Sequence, residues 1–369
     1  MPDLQILYEN VRIKTFQGRY QVQLEILPES TLTQNDVQKV LKLASWDKDP
    51  NTEQVSYEGG RGILIPRKKP ITIQDQKLEA LLVSGIGYRK LSVKENGDAD
   101  VEEETFYPPS KENFIDGLPG KIIGFSYAKG EEIVDEFDNY SPLGTYTQET
   151  LIEKVRQTRL VSQLGLTQLV VPPIEAYGRF INEELKDENG DFGFLVFSVP
   201  KIGRKRFWEE LVTIVNNEEN WFHANEKVAS LVRNFIKSMS RGLSELHQQG
   251  YVHLSTHLSN WYLGEKASLT DWETAERLKG TETENAINRV IDFTKPLIEI
   301  CNFIEEAFPF FSEEHQKGIK KAIFYEAANH YCENVNFNLE TVTADLSERQ
   351  MINVKNLTKW MKKCMRKNN

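Results

Sequence analysis

The hydrophobic pattern changes near Pro200, and this change constrains the fold more than any other feature of the sequence. Before it, short alternating or β-branched runs separated by glycine and proline predict strands and turns. After it, apolar residues recur at helical spacing, most clearly along residues 225–249. That stripe consists of Val228, Leu231, Val232, Phe235, Ile236, Met239, Leu243 and Leu246. The sequence therefore predicts an α+β chain with a sheet-rich first half and a helical second half.

The size and charge of the chain exclude several classes of protein. Its 369 residues, 39% hydrophobic and 27% charged, suffice for two packed domains and are typical of a globular protein. Acidic residues outnumber basic ones by 55 to 45, and the net charge of −10 disfavours bulk binding to nucleic acid. No apolar run approaches the roughly 18 residues of a membrane span, and the start shows no leader pattern, so we expect a cytoplasmic protein. The three cysteines, Cys301, Cys332 and Cys364, suit neither a disulfide framework nor a thiolate zinc site.

Three successive segments are predicted along the chain. Residues 1–76 are expected to form an accessory unit, with a β-hairpin that turns at Gly18 and a helix that Thr33 caps. Residues 77–200 are expected to form a β-rich domain that contains one helix, which begins after Thr147 and ends at Gly165. Residues 201–369 are expected to form a helical domain interrupted by one short hairpin.

The most informative stretch of the sequence is residues 243–278. A leucine-histidine pair and Gly250 end the long predicted helix, and His253 follows three residues later. Asn260 comes seven residues after that histidine, and Asp271 follows the short predicted hairpin. This pattern resembles the catalytic loop and the metal-binding loop of the protein-kinase-like superfamily.

The resemblance implies an overall fold and a cofactor. It extends over roughly residues 77–305 and implies a two-lobed protein-kinase-like fold that follows the N-terminal accessory hairpin and helix. In that family an asparagine oxygen and an aspartate carboxylate hold Mg²⁺ against ATP, which makes Asn260 and Asp271 the expected metal ligands. His253 takes the place of the family's loop histidine, and Ser255 falls where the family has its catalytic aspartate. A serine hydroxyl without an adjacent base cannot accept a proton near neutral pH, so this departure argues against conventional phosphoryl transfer.

Two other interpretations of these residues stay open. His253, Asn260 and Asp271 could serve only to satisfy backbone groups in turns. His253 and His257 are four residues apart, a spacing that suits a zinc site on a helix. The segment is loop-like, however, and no glutamate stands beside the first histidine, which argues against that site.

Upstream residues supply candidates for nucleotide binding under the same resemblance. Gly85 and Gly87 could form a turn that covers phosphate, although two glycines between strands equally suit a plain turn. The remaining candidates are the family's strand lysine, either Lys121 or Lys129, and its ion-pair partner on the next helix, either Glu149 or Glu153. The same residues would also be explained as exposed lysines and as a glutamate that stabilises a helix N-terminus.

The sequence leaves two classes of function open. The first is a kinase-like protein that lacks the catalytic aspartate, can bind Mg-ATP, and acts as a regulatory or interaction module for a protein partner. The second is an active phospho- or nucleotidyl transferase. Residues 81–91, the later helix that ends in QLGL, and a histidine loop that keeps its asparagine but lacks the aspartate are together loosely similar to selenoprotein-O-type AMP transferases. Ser84 stands where that family has a lysine. Too few residues separate Asp271 from the helix expected near Thr283 for the substrate-docking segment of a conventional protein kinase.

The last 17 residues, 353–369, carry six basic and no acidic side chains. One face of a helix there would carry Leu357, Trp360, Met361, Cys364 and Met365. The pattern predicts a terminal helix, either docked by its apolar face or offering its basic face to an acidic partner or an anionic surface.

Overall fold

The protein is described here from a computed structural model, and the description covers the greater part of the chain. The described residues are 11–15, 18–52, 56–58, 62–93, 99–113, 121–123, 134–136, 142–200, 206–218, 220–264 and 266–332. The chain divides into two compact units. Unit 1 comprises Met1–Lys121, Glu136–Gln163 and Pro172–Arg204, and unit 2 comprises Ile122–Asp135, Leu164–Val171 and Lys205–Asn369.

Strands dominate the first part of the chain. They are β1 (Val11–Thr15), β2 (Val22–Ile26), β3 (Ser56–Glu58), β4 (Gly62–Ile73), β5 (Gln76–Ser84), β6 (Tyr88–Val93), β7 (Ala99–Tyr107), β8 (Ser110–Asn113), β9 (Lys121–Ile123), β10 (Val134–Glu136), β11 (Pro142–Leu143), β12 (Ile174–Phe180), β13 (Lys186–Asp187), β14 (Gly190–Asp191) and β15 (Gly193–Val199). Within the described residues, seven of them form one sheet in the order β1-β2-β12-β15-β5-β4-β3. Every neighbouring pair in this sheet is antiparallel.

Helix α1 (Gln34–Ala44) packs on one face of this sheet. Thr33 caps it as predicted, because its hydroxyl accepts from the backbone N–H of Asp36 while the Asp36 carboxylate accepts from the N–H of Thr33. Apolar residues of α1 share a buried core with alternate residues of the sheet strands, among them Val40, Leu81 and Val196. Helix α1 therefore covers part of one face of the sheet.

The glycine at the first predicted turn is required by its surroundings. Gly18 lies between β1 and β2 with φ of +94°, where side chains are disfavoured. A Cβ there would lie 2.4 Å from the carbonyl oxygen of Ser45. The predicted hairpin at Gly18 is confirmed, and its turn closes against the end of α1.

The predicted boundary at residue 76 falls inside this sheet. It lies at the first residue of β5, which is paired with β4, with Ile71 opposite Leu78. Strands β12, β15 and β5 lie in the middle of this sheet, and strands from residues 1–76 flank them on both sides, because β2 pairs with β12 while β4 pairs with β5. Unit 1 accordingly includes the described residues of the expected accessory segment.

A second helix of unit 1, α2 (Gln148–Ser162), begins where the sequence predicts. Its N-cap is Thr147, whose hydroxyl accepts from the backbone N–H of Thr150. Gly165, with φ of +67°, follows its end. The predicted helix is therefore confirmed at both ends.

Unit 2 consists mainly of helices. They are α3 (Phe207–Asn217), α4 (Trp221–Gln248), α5 (Glu282–Ala307) and α6 (Glu313–Cys332), and the short strands are β16 (Tyr251–Val252), β17 (Trp261–Leu263), β18 (Ala267–Leu269) and β19 (Glu276–Arg277). The apolar stripe predicted along residues 225–249 lies on α4. All of its residues are buried except Leu231, which is half-buried. The predicted sequence of a sheet-rich half followed by a helical half is confirmed.

Three further expectations concern the helical half. No helix among the described residues is long and apolar enough to cross a membrane. Cys301 on α5 is a buried free thiol, and burial raises its pKa to about 12. The basic segment 353–369 and Cys364 lie outside the described residues.

Candidate functional site

The carboxylate of Asp292 organises the loop that follows α4. Asp292 is fully buried on α5, and its Oδ2 accepts from the backbone N–H of His253 at 2.7 Å. Its Oδ1 accepts from the backbone N–H of Leu254 at 2.9 Å. Leu254 has φ of +64°, which is unfavourable for a leucine, so these hydrogen bonds stabilise an otherwise strained turn. One helix side chain thereby fixes the backbone at the start of the predicted catalytic loop.

A proline in α5 strengthens the same attachment. Pro296 lies inside the helix and has no N–H to donate to the carbonyl oxygen of Asp292 four residues earlier. The hydroxyl of Thr256 donates to that carbonyl at 2.6 Å instead. The helix defect therefore creates an acceptor for the loop.

A second attachment lies two turns further along α5. Glu299 is seven residues after Asp292, so both carboxylates lie on the same face of the helix. Its Oε1 is 2.8 Å from Nδ1 of His257, and its Oε2 accepts from the N–H of Leu258 at 2.7 Å. The loop from 253 to 258 is therefore held by α5 at both ends.

Asp292 is also the end of a buried polar chain. Nε2 of His247 is 3.0 Å from Oδ2 of Asp292, and Nδ1 of His247 contacts the hydroxyl of Tyr331 on α6. Burial lowers the pKa of His247, despite the neighbouring carboxylate. Burial by itself would raise the pKa of Asp292, but the hydrogen bonds from His247 and His253 outweigh it and hold that pKa below its usual range. The chain is therefore a neutral tyrosine and histidine donating in sequence to a charged carboxylate.

His253 is held rigidly, with both ring nitrogens engaged. Its Nε2 is 2.8 Å from the carbonyl oxygen of Thr270, so this nitrogen carries the proton and donates. Its Nδ1 accepts from the backbone N–H of Ser255 at 3.2 Å. The side chain is fully buried, and burial lowers its pKa. Such a neutral, doubly engaged imidazole positions the loop and has no free nitrogen for proton transfer.

The two expected metal ligands lie close together in unit 2. Asn260 closes a 3-10 turn, and Asp271 precedes another with φ of +61° and ψ of +51°. The backbone N–H of Thr270 donates to the carbonyl oxygen of Asn260 at 3.0 Å, which keeps the two segments adjacent. Both side chains approach one nitrogen of Arg206, at 3.4 Å from Oδ1 of Asn260 and 3.8 Å from Oδ2 of Asp271.

This donor set does not fit the Mg²⁺ that the resemblance implies. Mg²⁺ requires near-octahedral oxygen ligands, often with one or two carboxylates. Here the oxygens face the guanidinium of Arg206, a cation that donates hydrogen bonds. Within the described part of the chain, no group of three or more histidine, cysteine or acidic side chains is arranged to hold a metal ion. His253 and His257 likewise do not converge, because each is bound to a different partner.

Ser255 stands where the resemblance would place a catalytic aspartate, and among the described residues no carboxylate or imidazole is hydrogen-bonded to its hydroxyl. In the described residues, the hydrogen bond recorded for its hydroxyl comes from the amide Nδ2 of Asn260 at 3.4 Å. The same amide donates to the carbonyl oxygen of Ser255 at 2.8 Å. An amide nitrogen cannot accept a proton, so the serine hydroxyl is not activated.

The two upstream glycines lie in a buried turn of unit 1. Gly85 and Gly87 both have positive φ and follow β5, as the predicted glycine turn requires. A Cβ on Gly85 would lie 2.7 Å from the ring of Tyr146, and one on Gly87 would lie 2.3 Å from the carbonyl oxygen of Tyr107. The space beside each glycine is thus filled by protein atoms, which favours a packing role.

The pairing of a lysine candidate with Glu149 or Glu153 stays a prediction, because both lysine side chains lie outside the described residues. Glu149 is exposed on the first turn of α2, and Glu153 pairs with Arg156 on the same helix at 2.6 Å. The hydrogen bond from Arg156 lowers the pKa of Glu153. Lys121 begins β9, but its side chain lies outside the described residues, as does Lys129 entirely.

Sequence reasoning missed four residues that organise this site, namely Asp292, Glu299, Tyr331 and Arg206, and it noted His247 only as part of the pair that ends α4. One signal was available for Asp292, since it is an acidic residue within the apolar run VIDF of a predicted helix. A buried carboxylate on an apolar helix face requires donors, and nearby loops supply them. No comparable signal marks Arg206, which follows directly on a basic run.

Comparison with known proteins adds little to this picture. No protein-family model matches the sequence, and no curated protein matches it. One similar solved structure is that of a divergent kinase that lacks the glycine-rich loop and regulates membrane ultrastructure of the Toxoplasma parasitophorous vacuole. It is 12% identical, with a TM-score of 0.29 over 55% of this chain and 67% of that chain. Similarity at this level does not establish a shared fold, so the kinase-like interpretation depends on the residues described above.

Proposed function

We propose that this chain is a kinase-like protein without phosphotransferase activity that acts as a regulatory or interaction module. The observation that carries the proposal is the geometry of the loop from His253 to Asn260. The loop is fixed as a catalytic loop would need to be, but it presents Ser255 without a base and a histidine without a free nitrogen.

The rigid support of the loop is compatible with a site that has the backbone contacts of a catalytic loop but not its catalytic groups. Asp292 and Glu299 hold the loop from α5, and Asn260 and Asp271 remain adjacent. Phosphoryl transfer depends on positioned charge and a metal ion more than on covalent chemistry. A guanidinium among the expected ligands therefore removes more activity than the loss of the aspartate alone.

An exposed aromatic surface supports the interaction role. Trp221, Phe222 and Phe310 are 44%, 61% and 54% exposed, and their rings pack together in unit 2. Monomeric proteins seldom expose several large aromatic residues in one patch unless the patch binds something. A protein partner is the occupant that a module of this kind requires.

The test is transfer of label from ATP by the purified full chain. Separate incubations with γ-labelled and α-labelled ATP, with Mg²⁺ present, should transfer no label to the chain or to added acceptor proteins. The matched control is Asp271→Asn, which should behave as the wild type does. Transfer of γ-label that Asp271→Asn abolishes would show an active phosphotransferase, and transfer of α-label would show the alternative, a nucleotidyl transferase.

A further inference from the structure

We propose that Asn260 and Asp271 form an internal binding site for the guanidinium of Arg206, which takes the position a divalent metal ion would need. The inference deepens the proposed function and rests on it for the assignment of these residues. It follows from the disagreement between the metal site that the resemblance implies and the contacts present.

Three oxygen atoms surround one nitrogen of the Arg206 guanidinium. The carbonyl oxygen of Ser259 lies at 2.6 Å, Oδ1 of Asn260 at 3.4 Å and Oδ2 of Asp271 at 3.8 Å. Carbonyl, amide and carboxylate oxygens are ligands for a hard divalent cation and are equally good acceptors for a guanidinium. Because arginine stays protonated at any physiological pH, the site always holds a cation when Arg206 is in place.

Contacts that do not involve Arg206 hold the acceptor oxygens in place. Asn260 donates its amide N–H to the carbonyl oxygen of Ser255 at 2.8 Å, so its Oδ1 is the atom left to face Arg206. Asp271 is held in the left-handed region directly after Thr270, which is hydrogen-bonded to the backbone of Asn260. The oxygen set is therefore built by the loop itself.

Arg206 is positioned by its neighbour in sequence. Phe207, the first residue of α3, is fully buried and stacks on Phe235 of α4 with ring centroids 3.9 Å apart. Phe235 in turn packs against Trp261, the residue next to Asn260. The start of α3 is thus anchored beside the 3-10 turn, and the Arg206 side chain is only 20% exposed. The guanidinium is held by the fold and is no freely moving surface group.

A divalent ion would have to displace this guanidinium. Two cations within contact distance repel each other, so a divalent ion cannot bind these oxygens while the guanidinium of Arg206 stays in place. The expectation is that the wild-type site does not take Mg²⁺ or Mn²⁺, and that removal of the arginine charge exposes an oxygen set that does.

The experiment counts bound Mn²⁺ on the full chain through the loss of the free-ion electron paramagnetic resonance signal. Arg206→Met keeps the apolar stem and removes the charge, so it should gain one saturable Mn²⁺ site. The double variant Arg206→Met/Asp271→Asn should lose that site again. Arg277→Ala, which removes an exposed arginine from β19 of the same unit, should resemble the wild type and show none.

Two results would overturn the proposal. One is a saturable Mn²⁺ site in the wild type that Asp271→Asn removes, and the other is an Arg206→Met chain that melts normally yet binds no Mn²⁺. If Arg206→Met does not fold, Arg206→Gln replaces it, since glutamine is neutral and can still donate to the carbonyl oxygen of Ser259. The result is separable from the proposed function, because label transfer from ATP would refute that function whatever the Mn²⁺ measurement shows.

Discussion

Each unit contains a buried carboxylate that several donors share, but a charged guanidinium is among the donors in unit 1, whereas the donors in unit 2 are neutral. In unit 1, Glu175 pairs with Arg67 at 2.8 Å, and their side chains are 2% and 0% exposed. In unit 2, Asp292 accepts from two backbone N–H groups and from His247. Hydrogen bonds from these donors outweigh burial and lower the pKa of both carboxyl groups.

The difference teaches what each carboxylate does. Glu175 joins strands of the sheet, because Arg67 lies on β4 and Ser198 lies on β15. It also accepts from Ser30 and from the hydroxyl and backbone N–H of Thr31, which ties the segment before α1 to the same strands. Both charges of that pair are side chains and can be replaced together. The N–H groups that Asp292 binds belong to the backbone and cannot be replaced by mutation. Unit 1 therefore uses its carboxylate for cohesion, whereas unit 2 uses its carboxylate to shape a loop.

Breaking the charge pair of unit 1 should have the largest effect on stability. Glu175→Gln leaves the Arg67 guanidinium buried without its counter-charge, which should cost about 3–5 kcal/mol of unfolding free energy. The double variant Glu175→Gln/Arg67→Met should recover much of that loss. Hydrogen exchange of β12 and β15 measures both, with the exposed Glu183→Gln as a control expected to change nothing. Equal losses in the single and double variants would contradict this account.

Removing the carboxylate that holds the loop of unit 2 should lower the unfolding free energy less than the change in unit 1. A second substitution at His247 should not restore it. Asp292→Asn offers one oxygen to donors that now use two, which leaves a buried donor unsatisfied at a cost of about 1–3 kcal/mol. Adding His247→Gln should not restore stability, because the N–H groups of His253 and Leu254 remain. Urea unfolding and hydrogen exchange of residues 251–258 provide the measurement. Full rescue by the double variant would show that the histidine, and not the loop, is the main partner.

A fall in pH should destabilise unit 2 more than unit 1. All six histidines lie in unit 2, and burial lowers the pKa of His247 and His253 in the folded state. Below the ordinary histidine pKa the unfolded chain binds protons that the folded chain does not, so unit 2 should lose up to about 1.4 kcal/mol per pH unit for each histidine. The stability that Glu175 contributes is present above its ordinary pKa of 4.5 and is lost only below it.

Hydrogen exchange at pH 7.5 and at pH 5.5, corrected for intrinsic rates, tests this difference. Amides of α4 and α5 should lose protection at the lower pH, whereas those of β12 and β15 should keep it. Replacing His247 by Gln should reduce the pH effect on unit 2. Parallel loss of protection in both units would disprove the assignment to the buried histidines.

The smallest effect is expected at the position that the kinase-like resemblance singles out. Ser255→Ala removes a hydroxyl whose recorded hydrogen bond is long, and the stronger bond from Asn260 goes to the backbone. The change in unfolding free energy should stay within about 0.5 kcal/mol. A thermal melt beside the wild type checks this, and a large loss would mean that the hydroxyl has a structural role that the described contacts do not show.

Local features of the fold could be predicted from sequence, and distant pairings could not. The Thr33 cap and the α4 stripe depend on residues three or four apart, so their patterns are visible in the sequence. The partners of the buried carboxylates are far away in sequence, since Arg67 and Glu175 are 108 positions apart and His253 and Asp292 are 39 positions apart. Only a charged residue inside an apolar run marks such a position, and the run does not name the partner.

The same limit applies to the candidate site. The order of His253, Asn260 and Asp271 indicated which residues would gather, because the segment is short. Arg206 lies 54 residues before Asn260, and its approach depends on the packing of α3 and α4. The sequence could therefore suggest the ligands but not the cation that they hold.

The buried thiol of Cys301 allows the opening rate of α5 to be measured by alkylation. A thiolate is the species that alkylating reagents attack, and a thiol with a pKa of about 12 in a buried position is almost never in that form. Modification of Cys301 must therefore wait until α5 moves away from its neighbours. Because α5 also carries Asp292 and Glu299, the rate at which a peptide containing Cys301 gains an alkyl group reports how often the loop support itself comes apart.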